Sequence, residues 1–393
     1  MNTKEALWTK DFILICTTNF LLFTTFYFMV AALPIFITDI LKGDESQIGY
    51  IVGIFTLTAL LMRPLAGHLV DTVGRKQILF LSLVFFAIIL AGYTFVAGIG
   101  LLILIRLLHG ITWSFATTSS GTLAADLVPA SRRGEGMGFY LMSNTGAMAV
   151  GPALALAIIG RGDFNILFIS AAAISALGLL CVLGINYATP VSVKKTDKTS
   201  FSFKNFYELR VISLAVVLFF VTFGYGGIIS FITIYARDLN IDNPGVFFFA
   251  NAISLLFARP WAGWVFDKHG PFKSMAIGFV AIIISFISLF LATGVVYYIF
   301  SAIFFGIGFG IIHPTIIAMA INKVEPSRRG AANATLFSAF DLGIGLGAIL
   351  LGYLAIIVGL STMYLISGIM TLIPLVLFYK KVVPEYYGKT DNE

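Results

Sequence analysis

Charge is scarce in this chain. Asp, Glu, Lys and Arg make up 11% of its 393 residues, against about 25% in a soluble protein. So few charges leave a water-facing surface uncovered, whereas apolar residues reach 59% and the mean hydropathy is +0.97. The chain therefore belongs in a bilayer. Cysteine is almost absent. Cys16 and Cys181 each fall inside an apolar stretch, with neither the number nor the spacing for a disulfide framework or a thiolate metal site. His68, His109, His269 and His313 are scattered, two in loops and two in apolar stretches, so the HExxH metal pattern is missing. A Walker phosphate loop is also missing, which excludes direct drive by ATP. No nucleophile stands beside a candidate base. A membrane-embedded enzyme is therefore not expected, nor is any cofactor. The net charge of +6 comes from basic residues set between apolar runs, not from one patch, and does not point to nucleic acid. The N-terminal MNTKEALWTKD leads into an apolar run without a small-residue cleavage site, and reads as a first membrane helix.

Long apolar runs are abundant. A helix crosses the hydrocarbon core with about 20 apolar residues. That ruler finds spans at about 12–38, 47–67, 77–97, 100–124, 135–160 and 165–187, then 209–237, 245–264, 273–293, 295–321, 331–357 and 361–380. The short alternating segments of a membrane barrel are missing. The expected class is all-α and integral to the membrane, with twelve transmembrane helices. With the N-terminus inside, nineteen Lys and Arg fall in inner segments and three (Lys42, Arg161 and Arg237) in outer ones. The positive-inside rule then puts both termini in the cytoplasm.

The stretch RPLAGHLVDTVGRK from Arg63 nearly recurs as RPWAGWVFDKHGPFK from Arg259. A single shift of 196 residues lays Arg63 on Arg259, Pro64 on Pro260, Gly67 on Gly263, Asp71 on Asp267 and Gly74 on Gly270. The same shift lays Gly110 on Gly306, and Ser131-Arg132-Arg133-Gly134 on Ser327-Arg328-Arg329-Gly330. Similarity that keeps register through loops marks an internal repeat. Because six spans is an even number, the two copies insert the same way, as parallel repeats with a site expected near the midplane between them. The expected division is an N-terminal half over 1–187, a basic linker over 188–208 and a C-terminal half over 209–393. A passive channel is disfavoured, since channels usually assemble repeated subunits around a pore.

Gly67 to Lys76 resembles the GxLxDxxGRK loop motif of the major facilitator superfamily, with a weaker second copy at Gly270. Arg106 to Gly110 is similar to that family's RxxQG element, with His109 for Gln. Gly138 through Gly151-Pro152 resembles the glycine-rich helix motif of the twelve-helix drug:proton antiporter branch, although Ala147 and Ala155-Leu156 stand where glycines are usual. The resemblance implies a major facilitator fold. It implies secondary transport by alternating access, in the direction of proton-coupled efflux of small amphipathic or drug-like molecules. A conformational latch at Gly67, Asp71, Gly74, Arg75, Lys76 and Asp267 is implied as well. Implied partners are a small-molecule substrate, protons and membrane lipids, with the chain acting as a monomer in a plasma or bacterial inner membrane. Transport of a specific sugar, amino-acid derivative or metallophore is the competing reading.

A few polar residues lie inside spans. Asp341 is about ten residues into the eleventh span, about 15 Å deep. An ionised carboxylate there costs about 2.5–3.5 kcal/mol on insertion scales. A stripe of Ala334, Ser338, Gly345, Ala348 and Gly352 turns it toward another helix. Two readings stay open for it, a proton carrier and a structural hydrogen bond. Arg106 shares one helical face with His109, Trp113, Thr117 and Ser120. That stripe is expected to line a cavity, with a buried structural pair as the alternative for Arg106. His313, before Pro314, is a further titratable candidate. Asn19, Phe23, Phe223 and Tyr225 are candidate cavity residues, because aromatic walls suit flat apolar cargo and cations.

Overall fold

A computed structural model describes residues 6–129, 132–160, 163–187, 207–325 and 329–387, without the side chains of Asp71, Arg133, Trp264, Phe266, Asp267, His269, Arg329 and Tyr387. The expected contributions of Asp71 and Asp267 therefore lie outside the described residues. The first six helices are α1 (Lys10–Ile35), α2 (Glu45–Thr72), α3 (Arg75–Gly92), α4 (Ile99–Leu127), α5 (Arg133–Ile159) and α6 (Phe164–Leu183). The rest are α7 (Ile212–Asp238), α8 (Gly245–Phe290), α9 (Val295–Lys323), α10 (Arg329–Val358), α11 (Leu360–Met370), α12 (Leu372–Leu377) and α13 (Val383–Tyr387). Among the described residues, twelve helical segments are long and apolar enough to cross a membrane, and no strand occurs. α8 supplies two of these segments, Gly245–Ala262 and Gly270–Phe290.

Local chemistry sets the helix starts. Thr9 accepts from the Phe12 amide at 3.2 Å ahead of α1. Asp44 accepts from the Gln47 amide at 3.0 Å ahead of α2, and Asp163 from those of Asn165 and Ile166 at 2.8 and 3.1 Å ahead of α6. Each satisfies N–H groups that the helix itself leaves open. Two of the three turns with a positive-φ glycine among the described residues recur. Gly74 separates α2 from α3 with φ +122°, and Gly270 breaks α8 with φ +77°. These are the two glycines that the 196-residue shift superposes, and only glycine takes up such angles without strain. The recurring punctuation is thus, in part, one backbone kink written twice.

Each half packs by the same scheme. In the first, α1 lies on α4, α5 and α6, while α3 lies on α4 and α6. In the second, α7 takes the place of α1 and packs on α10, α11 and α12, while α8 packs on α9 and α11. By compactness the chain forms two units, Met1–Leu41 with Leu57–Lys198, and Lys42–Thr56 with Thr199–Glu393. The start of α2 thereby joins the second unit, where the Tyr50 and Tyr353 hydroxyls are hydrogen-bonded. Phe12, Phe28, Phe86 and Phe168 are fully buried in the first unit, and Phe231, Phe247, Phe279 and Phe305 in the second. Outward faces carry Leu61, Phe257 and Ile357, each more than 70% exposed. Water would penalise such a surface and hydrocarbon does not.

Candidate functional site

In the first unit, polar groups and aromatic rings converge around α4. Arg106 is 4% exposed and His109 is 1% exposed. The Tyr93 hydroxyl, at the end of the third span, meets His109 Nδ1 at 2.9 Å, and the Arg106 guanidinium also reaches Tyr93. One turn further along, Trp113 stacks on Phe26 at 4.7 Å and meets Phe23 edge-on at 4.9 Å. Phe86 closes this wall, with its ring 4.8 Å from His109 and 6.2 Å from Trp113. Spacings of three and four residues bring Arg106, His109 and Trp113 onto one side of α4. α1 and α3 then bring the rings to them. The result is a buried cation beside Tyr93 and His109, with a wall of rings on the next turn of the same helix.

Neighbouring residues are spent on structure. Thr117 donates to the Trp113 carbonyl at 2.8 Å within its own helix. Ser120 meets the Tyr140 hydroxyl at 2.9 Å. Asn19 is 1% exposed, and its Nδ2 donates to the Tyr140 carbonyl at 3.2 Å and Ser143 Oγ at 2.8 Å, joining α1 to α5. Gly151 and Pro152 are buried in α5, where Gly151 touches the α1 backbone. Gly138 is exposed, with open space where a side chain would stand.

The repeat motif forms a second cluster at one end of the unit. Arg75 pairs with Asp126 at the end of α4, and the Tyr187 hydroxyl donates to the same carboxylate at 2.5 Å. Lys76 Nζ donates to the Ile185 carbonyl at 2.6 Å, just past the end of α6. Arg75 and Lys76 thus tie the start of α3 to α4 and α6. A Cβ on Gly67 would meet nothing within 4 Å.

In the second unit, rings form a column. Tyr225 of α7 stacks on Phe305 at 5.4 Å and lies 5.0 Å from Phe309. Phe309 stacks on His313 at 5.5 Å, and Phe340 of α10 meets the His313 ring at 5.5 Å. Asp341, the next residue after Phe340, is 7% exposed. Phe223 is buried beside Phe219, and its backbone lies against Gly347 of α10. His313 packs on the ring of Phe340, the residue before Asp341, and Arg106 and His109 belong to a separate cluster in the other unit.

Tyr93, Asp126 and Tyr187 were not singled out by the sequence. Each lies at the end of a span, where a polar residue is unremarkable. Asp126 had one available signal, as a lone acid at the end of a helix whose neighbouring loops are basic.

The sequence matches the Major Facilitator Superfamily model over residues 15–324 and 245–393. The chain belongs to the major facilitator superfamily. It is a secondary transporter and a multi-pass membrane protein. It is 25% identical over 356 residues to the staphylopine export protein of Staphylococcus aureus, covering 88% of this chain and 89% of that one. Among solved structures, the nucleoside transporter NupG superposes with a TM-score of 0.73 at 18% identity, over 95% of this chain and 100% of that one. The xylose transporter XylE from E. coli superposes at 0.77 with 16% identity, over 95% and 97%. At those identities the superpositions speak for the fold alone.

Proposed function

We propose that this major facilitator protein exports a small anionic molecule with a flat or apolar part, coupled to proton entry. Its two halves, 1–187 and 209–393, alternate access about the linker at 188–208, with both termini cytoplasmic and the chain acting as a monomer in the cell membrane. The observation that carries the cargo class is Arg106, buried beside Tyr93 and His109, on the same helix as the Trp113 wall of Phe23, Phe26 and Phe86. A permanent cation in a low-dielectric site favours an anionic group, and the ring wall favours a planar or apolar body. The relative named as an exporter of staphylopine supports the outward direction. It also favours a specific metabolite or metallophore over a broad range of drugs.

In this scheme Asp341 carries the proton in the second half, with His313 packed on the ring of the preceding residue, Phe340. Asp71, Arg75 and Asp267 act on the conformational cycle, not on cargo choice. The test is uptake into inside-out vesicles under an imposed pH gradient, comparing carboxylate-bearing amphiphiles with cationic dyes. Arg106→Gln removes a charge-assisted contact worth about 1.5–3 kcal/mol, so transport of the anionic cargo should fall roughly ten- to hundredfold. Pumping of cationic dyes alone, or an unchanged rate of anion transport in a well-expressed Arg106→Gln variant, would overturn the assignment.

A further inference from the structure

Three helix ends meet at one edge of the second unit, apart from the residues of its ring column. α7 starts behind the short turn Leu209–Val211, α9 ends at Lys323, and the chain runs from α12 through Phe378–Val382 into α13. Between them lies a groove of about 520 Å³ whose polar wall includes Arg210, Ser213, Lys323, Lys381 and Glu385. An apolar slot of about 160 Å³ continues it along Ile212, Val216, Leu377 and Val382. Ile212, Ser213 and Lys381 line both parts, so groove and slot form one continuous depression.

The charges in this groove are unequally committed. Glu385 Oε2 accepts from Lys323 Nζ at 2.8 Å and from Ser213 Oγ at 2.7 Å. That contact closes the floor and occupies the buried lysine. Arg210 stands 3.9 Å from the Glu208 carboxylate and its side chain is 52% exposed. Lys381 is also exposed. The lining therefore holds three cations against one carboxylate, a balance of +2, and it remains +1 when Glu208 is counted. The slot below is open too, with Ile212 47% and Val216 38% exposed. An exposed apolar slot directly beneath two accessible cations suits a molecule with an anionic head and a hydrocarbon chain. The end of a membrane span is where such molecules present that junction.

We propose that the groove binds an anionic phospholipid, its head-group phosphate between Arg210 and Lys381 and one acyl chain along Ile212, Val216 and Leu377. With the orientation proposed above, the lipid belongs to the cytoplasmic leaflet. The site does not depend on which cargo the protein carries, so its test is independent of transport. Lys323 and Glu385 hold the floor and are left intact in that test.

Intact-protein mass spectrometry of the full chain, released from detergent micelles after titration with phosphatidylglycerol or phosphatidylcholine, reads the site directly. The wild type should retain one phosphatidylglycerol at concentrations at least tenfold below those needed for phosphatidylcholine. Arg210→Gln with Lys381→Gln should weaken that retention by tenfold or more, as expected for two lost surface cations. Lys10→Gln, an exposed cation on α1, should leave it unchanged. Val216→Trp fills the slot without touching a charge and should weaken retention as well. If the double variant does not fold, Lys381→Gln alone is read the same way. Equal retention of the two lipids would overturn the proposal. So would a groove variant that behaves like Lys10→Gln. Displacement of the lipid by chain-free glycerol phosphate at similar concentration would also overturn it, because the site would then belong to a soluble anion.

Discussion

Two glycines of the α5 motif make opposite predictions for the same substitution. An alanine at Gly151 would bring its Cβ to 2.7 Å from the Thr24 carbonyl oxygen, 2.9 Å from Tyr27 Cβ and 3.0 Å from the Phe28 amide nitrogen. Two of the three atoms are α1 backbone, which cannot swing aside. Ordinary contact begins near 3.4 Å, so the helices must part by about 3.4 − 2.7 = 0.7 Å. Overpacking of that kind costs about 1–3 kcal/mol. An alanine at Gly138 meets nothing within 4 Å. Both substitutions gain about 1 kcal/mol of helix propensity, which cancels when the variants are compared. Gly151→Ala should therefore be less stable than Gly138→Ala by about 1–3 kcal/mol, and Gly138→Ala should match or exceed the wild type. Thermal unfolding in mild detergent, followed by tryptophan fluorescence, ranks the three proteins. Equal melting temperatures for the two variants would refute the reasoning, because they would mean that α1 and α5 do not approach through Gly151.

Asp341→Asn keeps the side-chain shape but cannot titrate, so it should still bind cargo and exchange it without a gradient while losing uphill transport; undiminished pumping at equal expression would make the residue structural. Arg75→Gln and Asp126→Asn should each cost about 1 kcal/mol or less, because both partners are about a quarter exposed; the double variant should add little to either single one, and full additivity in a thermal-shift cycle would deny the pair. Hydrogen bonds from Ser46 Oγ and the Gln47 amide hold the Asp44 carboxyl below its ordinary range. That stabilisation is present above the unfolded-state value and lost as pH falls through the folded one, so Asp44→Ala should cost about 1 kcal/mol at pH 7, and the gap from wild type should close as the pH is lowered below about 4. A gap that stays constant through that window would show that the carboxylate is not the cap.

Asn19 shows how far local sequence reaches into the site. Its position inside the first span marked it as a polar group at membrane depth, and it is buried there. Which neighbour it meets was not legible, and the structure turns it to Tyr140 and Ser143 on α5. Trp113 and Phe23 were both read as cavity aromatics, and they do touch. Phe86 and Tyr93 complete that cluster yet looked like any of the many rings in the third span. The α5 motif reads the same at Gly138 and Gly151, and only the fold tells the exposed glycine from the one pressed on α1.

Hydropathy and the repeat were settled by sequence alone. A membrane span is a sum over about 20 consecutive residues, and a repeat is a comparison of the chain with itself, so neither needs a neighbour in space. Twelve spans in two like halves followed from those sums, as did the recurring turn at Gly74 and Gly270. Tertiary structure decided which polar atoms pair. Arg75 with Asp126, Tyr93 with His109, and Glu385 with Lys323 and Ser213 each join separate helices. Such pairs depend on the rotation and depth of two helices relative to one another. A stretch of sequence fixes the period of a helix but not its rotation against a partner, because that angle is set by the packing of every side chain between them.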